Sequence, residues 1–407
     1  MIMLSYYVIK TVREPLILLG GGAELKSYAS AAQAGVLMVF VPLYSKFAER
    51  VDRFRLIVGV TLFFALCIQV FFAAGQAALP IGFVFFVWVG IFNVAIIAQF
   101  WSYANDIYPR EAGERLFPII AIGAAGGSWA GSKVAEVLFK SGFGTFNLMQ
   151  LAAGILVATL LLYAWVNRRE SGGKGGRSGE KLARGGGFGL VLKSPYLRML
   201  AVLLILLNLV NTTGEYILGS TVQHAAEAAA ALDPTVDAAA FIGAFYGNFF
   251  FWVNAGTLFI QAVIVSRIVK YLGIGGVVFA LPVVAFGAYG LIGLGAGFTM
   301  IRWAKSAENM TDYSVMNTAK AMLWLPTSRE EKYKAKQAID TFFVRLGDVL
   351  SAGLVFVGTT MLGFGVFHFA VTNLVVILAW GGVAWLVLRY YRSLAAAAEA
   401  APEEQVA

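Results

Sequence analysis

Five charged residues stand on one stretch of chain apolar enough to cross a bilayer. Residues 298–325 carry Arg302, Lys305, Glu308, Asp312 and Lys320, and at about 100° per residue the five fall within an arc of roughly 120°. Charge inside hydrocarbon is expensive, so such a stripe faces protein or a water-filled cavity, and it reads as the wall of a solute pathway. Lys305 and Glu308 are spaced for an i,i+3 ion pair, whereas Glu308 and Asp312 repel at i,i+4. Lys320 has no acidic residue three or four positions away, which leaves its ammonium free to meet a ligand.

Two other stretches carry polar faces. Near the N-terminus Tyr6, Tyr7, Lys10, Arg13 and Glu14 share one helical face, a cavity-facing cluster by this reading. In a later stretch Asn208, Asn211, Thr212 and Glu215 line another. An amide or hydroxyl there serves interhelical hydrogen bonding as well as a ligand, but a carboxylate must be protonated or matched, which singles out Glu215. Arg345 is placed to pair with Asp348 at i,i+3, to join a gate, or to face the cavity. The candidate cations are Lys10, Arg13, Arg302, Lys305, Lys320 and Arg345, against the anions Glu14, Glu215, Glu308 and Asp312. This mixed lining with a slight positive surplus suits an anionic or zwitterionic solute rich in hydrogen-bonding groups. No nucleophile–base pairing and no metal-ligand spacing are readable, so neither an enzyme, a metal site nor a cofactor is expected. Gly126-Gly127-Ser128 lacks the strand and the Gly-Lys-Ser/Thr of a phosphate loop.

The elements that must position these residues are membrane spans. The 407 residues are 59% hydrophobic and 13% charged, about half the charge of a soluble domain. Apolar stretches of about 20 residues, each able to cross a bilayer, recur throughout. Twelve spans are expected, at 2–20, 29–48, 54–75, 80–107, 116–139, 145–166, 196–220, 238–265, 273–297, 298–325, 339–363 and 367–390. The first is short, as if its N-terminal half lay upstream, and no cleavable signal peptide is visible. With the N-terminus cytoplasmic, basic residues crowd the inner segments, eight of them between Arg168 and Arg198, and the outer ones keep only Lys26 and Lys140. That asymmetry puts both termini in the cytoplasm, as for a bacterial inner-membrane protein, and accounts for the net charge of +8 without nucleic acid. Cys67, the one cysteine, is a packing residue. Gly123, Gly127 and Gly131 are spaced for close helix contact.

A basic, Gly-rich stretch at 167–194 reads as a flexible cytoplasmic linker. It divides the chain into bundles at 1–166 and 195–392, followed by a frayed tail at 393–407. The halves echo each other: Tyr44-Ser45-Lys46 against Val265-Ser266-Arg267, and Pro109-Arg110-Glu111 against Pro326-Thr327-Ser328-Arg329-Glu330. The fold expected is an all-α polytopic membrane protein, two pseudo-symmetric six-helix bundles around a central cavity, the major facilitator arrangement, and a monomer.

Three stretches then carry a resemblance. They are Tyr7-Val8-Ile9-Lys10-Thr11-Val12-Arg13-Glu14-Pro15-Leu16; Phe100-Trp101-Ser102-Tyr103-Ala104-Asn105-Asp106 with Arg115-Leu116-Phe117-Pro118; and Asn317-Thr318-Ala319-Lys320-Ala321-Met322-Leu323-Trp324-Leu325-Pro326 running on to Asp340. Together they resemble the nucleotide transporter family, the ATP/ADP translocases of plastids and obligate intracellular bacteria. The resemblance implies exchange of nucleoside phosphates by alternating access. It implies roles for a basic–acidic pair in span one, here Arg13-Glu14, an acid in span seven, here Glu215, and a lysine in span ten, here Lys320. The family's acid in span four is missing: residues 81–105 hold no Asp or Glu, and Val89 stands at the approximate position. Asp106, Arg115, Asp340 and Arg345 are the candidates for gating or coupling. The alternatives are a major facilitator with another solute, such as a siderophore-like or cell-envelope metabolite, and a non-transport membrane scaffold.

Overall fold

Glycine decides where the long helices bend. The structure, a computed structural model, describes residues 1–48, 51–107, 110–170 and 187–400, apart from the side chains at 45, 53, 105–107, 110–114, 118, 170, 333 and 397–400. Helix α1, Ile2–Ala48, has 47 residues, enough for two crossings. It breaks at Gly21 and Gly22, and Gly22 has φ 76°, a conformation that only glycine adopts without strain. The backbone N–H of Ala23 donates to Gln223 Oε1 at 3.2 Å, capping the helix that resumes there. The predicted loop at 21–28 is therefore two residues of bend, and the second crossing starts six residues earlier than its hydrophobic pattern predicts.

The next elements are α2, Arg53–Gln76, α3, Gly82–Ile107, α4, Arg110–Lys140, and α5, Thr145–Glu170. After the short α6, Gly187–Lys193, comes α7, Pro195–Leu232, which runs twelve residues past the predicted span. It ends at a turn in which Thr235 donates through its N–H and its hydroxyl to Asp233, holding that carboxyl below the ordinary carboxylate range. Helix α8, Ala238–Phe259, passes through a π turn into α9, Val265–Gly293, which bends at Gly273, φ 62°. The charged stretch is α10, Phe298–Thr311, a π turn at Asp312–Met316, and α11, Asn317–Leu323. Two further π turns flank the short α12, Lys336–Ala338, and lead into α13, Val344–Phe356. The last helix is α14, Val366–Ala400. Its alanine-rich end stays helical past residue 390, and 401–407 lie outside the described residues, as do 171–186 of the predicted linker. The flanks of that linker, through Glu170 and from Gly187, are helical.

Among the described residues, eight segments are long and apolar enough to cross a membrane. Two of these bend at glycine and supply two crossings each. The glycine-rich α4 and the charged α10–α11 run, which the sequence pattern also predicts as spans, are helical but are not among these eight. No strand occurs among the described residues.

The chain divides into two compact units. The first takes in residues 1–181 and 219–254. Within it α1 lies against α3, α4 and α5, and α2 against α3 and α5. The approach of α1 to α4 is set by glycine. A Cβ at Gly131 would meet the Leu4 carbonyl oxygen at 2.5 Å, and one at Gly127 would meet Met3 Cβ at 3.3 Å. Gly123, third in the predicted stripe, faces open space instead. The second unit takes in residues 182–218 and 255–407, with α9 packed on α10 and α14.

Candidate functional site

In the first unit, one buried carboxylate holds two cations. Glu14 is fully buried. Its Oε1 accepts from Arg13 Nε at 3.1 Å and from the terminal guanidinium nitrogen, and Lys26 Nζ lies 2.8 Å from Oε2. The bend at Gly21–Gly22 makes this possible, because it turns the chain so that Lys26 comes back to Glu14. Lys26 also donates to Tyr246 Oη at 3.3 Å and sits over that ring at 4.9 Å. Arg13 stacks on Phe86 at 4.1 Å, and Lys10 lies 4.2 Å from the Phe250 ring. Arg13 and Glu14 are thus an internal pair of the unit, not charges reaching for the interface. Lys26, expected in an outer loop, is instead a buried member of the cluster.

A polar seam adjoins it. Tyr7 donates to Asn254 Oδ1 at 2.9 Å, and Asn254 donates to Ser132 at 3.3 Å. One turn along α4, the buried Glu136 accepts from Lys133 at 3.0 Å, Lys140 at 2.6 Å and Asn248 at 2.8 Å. The sequence reading missed this group. Its signal was a lone glutamate at i,i+3 and i,i+4 spacing from two lysines inside an otherwise apolar span.

In the second unit the centre is Lys305, only 3% exposed. Its ammonium donates to Asn211 Oδ1 at 2.8 Å and to the Asn211 carbonyl at 3.2 Å, lies 3.1 Å from Glu308 and 3.8 Å from Glu215. Tyr289 donates to Glu308 at 2.9 Å, and Asn309 donates to Glu215 at 3.2 Å. A charge this deep is tolerable because its hydrogen-bonding groups are matched on several sides. The predicted Lys305–Glu308 pair is present. The predicted Glu308–Asp312 repulsion is relieved, since each carboxylate has its own cation.

Lys320 is not free, contrary to the spacing argument. It lies 3.4 Å from Asp312, eight residues earlier. The π turn between them explains this. A wide turn contains one extra residue, so positions eight apart face as positions seven apart do in an unbroken α-helix. Lys320 remains the more open partner, at 33% of its side chain against 11% for Asp312. Arg345 pairs with Asp348 at 3.3 Å as its spacing predicts. Asp348 also accepts from Asn208 at 2.8 Å and Thr212 at 2.7 Å, so these two polar residues of α7 are interhelical ties. Among the gating candidates, Arg115 and Asp340 are exposed, and the side chain of Asp106 lies outside the described residues.

Arg13, Glu14 and Lys10 thus lie in one unit, and Asn211, Glu215, Lys305, Glu308, Asp312 and Lys320 in the other. Compared with known proteins, residues 82–391 match the family model described as TLC ATP/ADP transporter. The chain belongs to the TLC ATP/ADP transporter family. Relatives include proteins named ADP,ATP carrier protein 1. Those of Chlamydia trachomatis serovar D and Chlamydia muridarum are each 24% identical over 84% of this chain and 77% of their own. In solved structures, the fold is similar to that of the nucleoside transporter NupG, with TM-score 0.67 and 13% identity over 95% of this chain and 96% of that one. It is also similar to a bacterial homologue of the iron transporter ferroportin, with TM-score 0.66 and 14% identity over 94% and 96%. The architecture is that of a major facilitator, and the TLC transporter is a secondary transporter integral to the membrane. It departs from the motif that the resemblance implies at Val89, which is fully buried.

Proposed function

We propose that this TLC transporter exchanges nucleoside phosphates across a bacterial inner membrane, as a monomer with both termini cytoplasmic, by alternating access. The relatives' printed name, ADP,ATP carrier, supports a nucleotide as the solute. The observation that carries the reading is the placement of cations inside crossing helices: Lys26 and Lys305 buried, Arg13 and Lys320 partly open. The two more open side chains, Arg13 and Lys320, are placed to bind phosphate through charge-assisted hydrogen bonds, the guanidinium through a planar fork, while the buried lysines hold the carboxylates beside them. Glu215, 28% exposed beside Lys305, is the carboxylate able to lock a gate or to couple a proton.

A second reading, a different phosphorylated or carboxylated metabolite, is favoured by one observation: the apolar Val89 where the family's acid belongs. The test is uptake of labelled ATP and ADP into proteoliposomes preloaded with ADP, against unlabelled nucleotides, sugar phosphates and dicarboxylates. Counterflow that requires internal ADP and yields only to nucleotides is the expected outcome. Absence of nucleotide counterflow, with counterflow of a labelled sugar phosphate or dicarboxylate in its place, would transfer the conclusion to the second reading.

A further inference from the structure

Glu14 divides its two oxygens between unequal partners. Oε1 is held by Arg13 and Oε2 by Lys26. The Lys26 end is sealed: its side chain is 6% exposed and is fixed on the hydroxyl and the ring face of Tyr246. The Arg13 end is the looser one, 13% exposed and stacked on Phe86. One carboxylate therefore serves two cations, and the three groups carry a formal net charge of +1. If an anion takes the guanidinium, Glu14 gives up its bond to Arg13. An unpaired buried carboxylate is severely destabilising, so release requires a cation that stays behind. Lys26 is that cation, already in contact.

We propose that Lys26 is a positioning residue for anion binding in the first unit: by retaining Glu14 it lets Arg13 pass from its internal carboxylate to a phosphate group of the solute. The proposal rests on the nucleoside-phosphate reading for the identity of the solute, but its physical content concerns any phosphate-bearing anion. Without Lys26, Glu14 has only Arg13 and grips it, so phosphate competes with a tighter internal partner. Without Glu14 the solute no longer competes with that internal carboxylate for the guanidinium.

The experiment uses the full chain in two arms: labelled ADP uptake in proteoliposomes, and pyrophosphate binding to the detergent-solubilised protein by calorimetry. Lys26→Ala is expected to raise the KM for ADP and the Kd for pyrophosphate about tenfold, with the maximal rate nearly unchanged. Lys26→Arg should stay near wild type. Adding Glu14→Gln to Lys26→Ala should restore both constants, and Glu14→Gln alone should tighten pyrophosphate binding. Unchanged constants in Lys26→Ala overturn the proposal, as does a double variant no better than Lys26→Ala, which would mean that lysine touches the anion itself. Should Lys26→Ala fail to fold, Glu14→Gln decides alone: pyrophosphate binding no tighter than wild type overturns the proposal. The two readings fail separately. Lys26-dependent pyrophosphate binding without nucleotide uptake removes the nucleotide and keeps the positioning role, whereas ADP uptake indifferent to Lys26 does the reverse. Wild-type protein that binds neither anion ends both.

Discussion

Lys305 and Lys320 sit on one helical run, yet substitution should affect them in opposite ways. Removing the Lys305 ammonium leaves Glu308 buried without its ion-pair partner and strips two hydrogen bonds from Asn211. Lys305→Ala is expected to lose about 3–5 kcal/mol of stability, the cost typical of breaking a buried pair, and to unfold at markedly lower temperature in detergent. An unchanged melting temperature would show that water reaches the site. The partly exposed Lys320–Asp312 pair contributes about 1 kcal/mol at most. Lys320→Ala should therefore express and melt normally while transport falls roughly tenfold, about 1.4 kcal/mol in the barrier, and Glu215→Gln should do the same. Near-normal flux in both variants would refute the assignment of these residues to the pathway. The charged stripe itself was legible, because period and hydropathy isolate it. The partner of Lys320 was not, since Asp312 stands eight positions away, outside the three- and four-residue spacings at which pairs on a regular helix meet.

Helix bends are the second level at which the sequence spoke incompletely. The gap between the first two predicted spans, residues 21–28, reads as a loop, and that reading assigned Lys26 to the outside. What decides for a bend instead is Gln223, some two hundred positions away, whose amide oxygen caps the resumed helix. Gly22→Ala must hold a side chain at φ 76° with its Cβ 3.0 Å from that same oxygen, at a cost of about 1–2 kcal/mol in backbone strain alone. It should lower stability and, by displacing Lys26, weaken anion binding, whereas Gly123→Ala, with open space around it, should do neither. Comparison of melting temperature and KM for the two variants checks this, and equal behaviour would sink the role given to the bend. Gly131→Val, pushed against the Leu4 carbonyl, is expected to separate α1 from α4 and abolish folding; normal yield would contradict the close approach.

For the molecule as a whole, the sequence conveyed class and family, since these rest on composition and on local motifs. It did not convey which segments pack together: residues 219–254 group with the first unit and not with their neighbours in the second half. Orientation is the property most directly open to test. The chain has a single cysteine, Cys67, so Cys67→Ala gives a blank background. A cysteine placed at Gly185 should react with a membrane-impermeant maleimide in inside-out vesicles and stay silent in intact cells. Labelling in intact cells would invert the topology read from the basic residues.

The wide turn at Asp312–Met316 makes length itself a variable that the charged run can spare at one point and not at another. Excising Val315 would let the segment close into ordinary α geometry with Asp312 and its lysine seven positions apart, still aligned. Excising any one residue between Lys305 and Glu308 would swing everything beyond it by about 100°. Genes of this lineage should therefore tolerate a single-codon gap at the first point and none at the second.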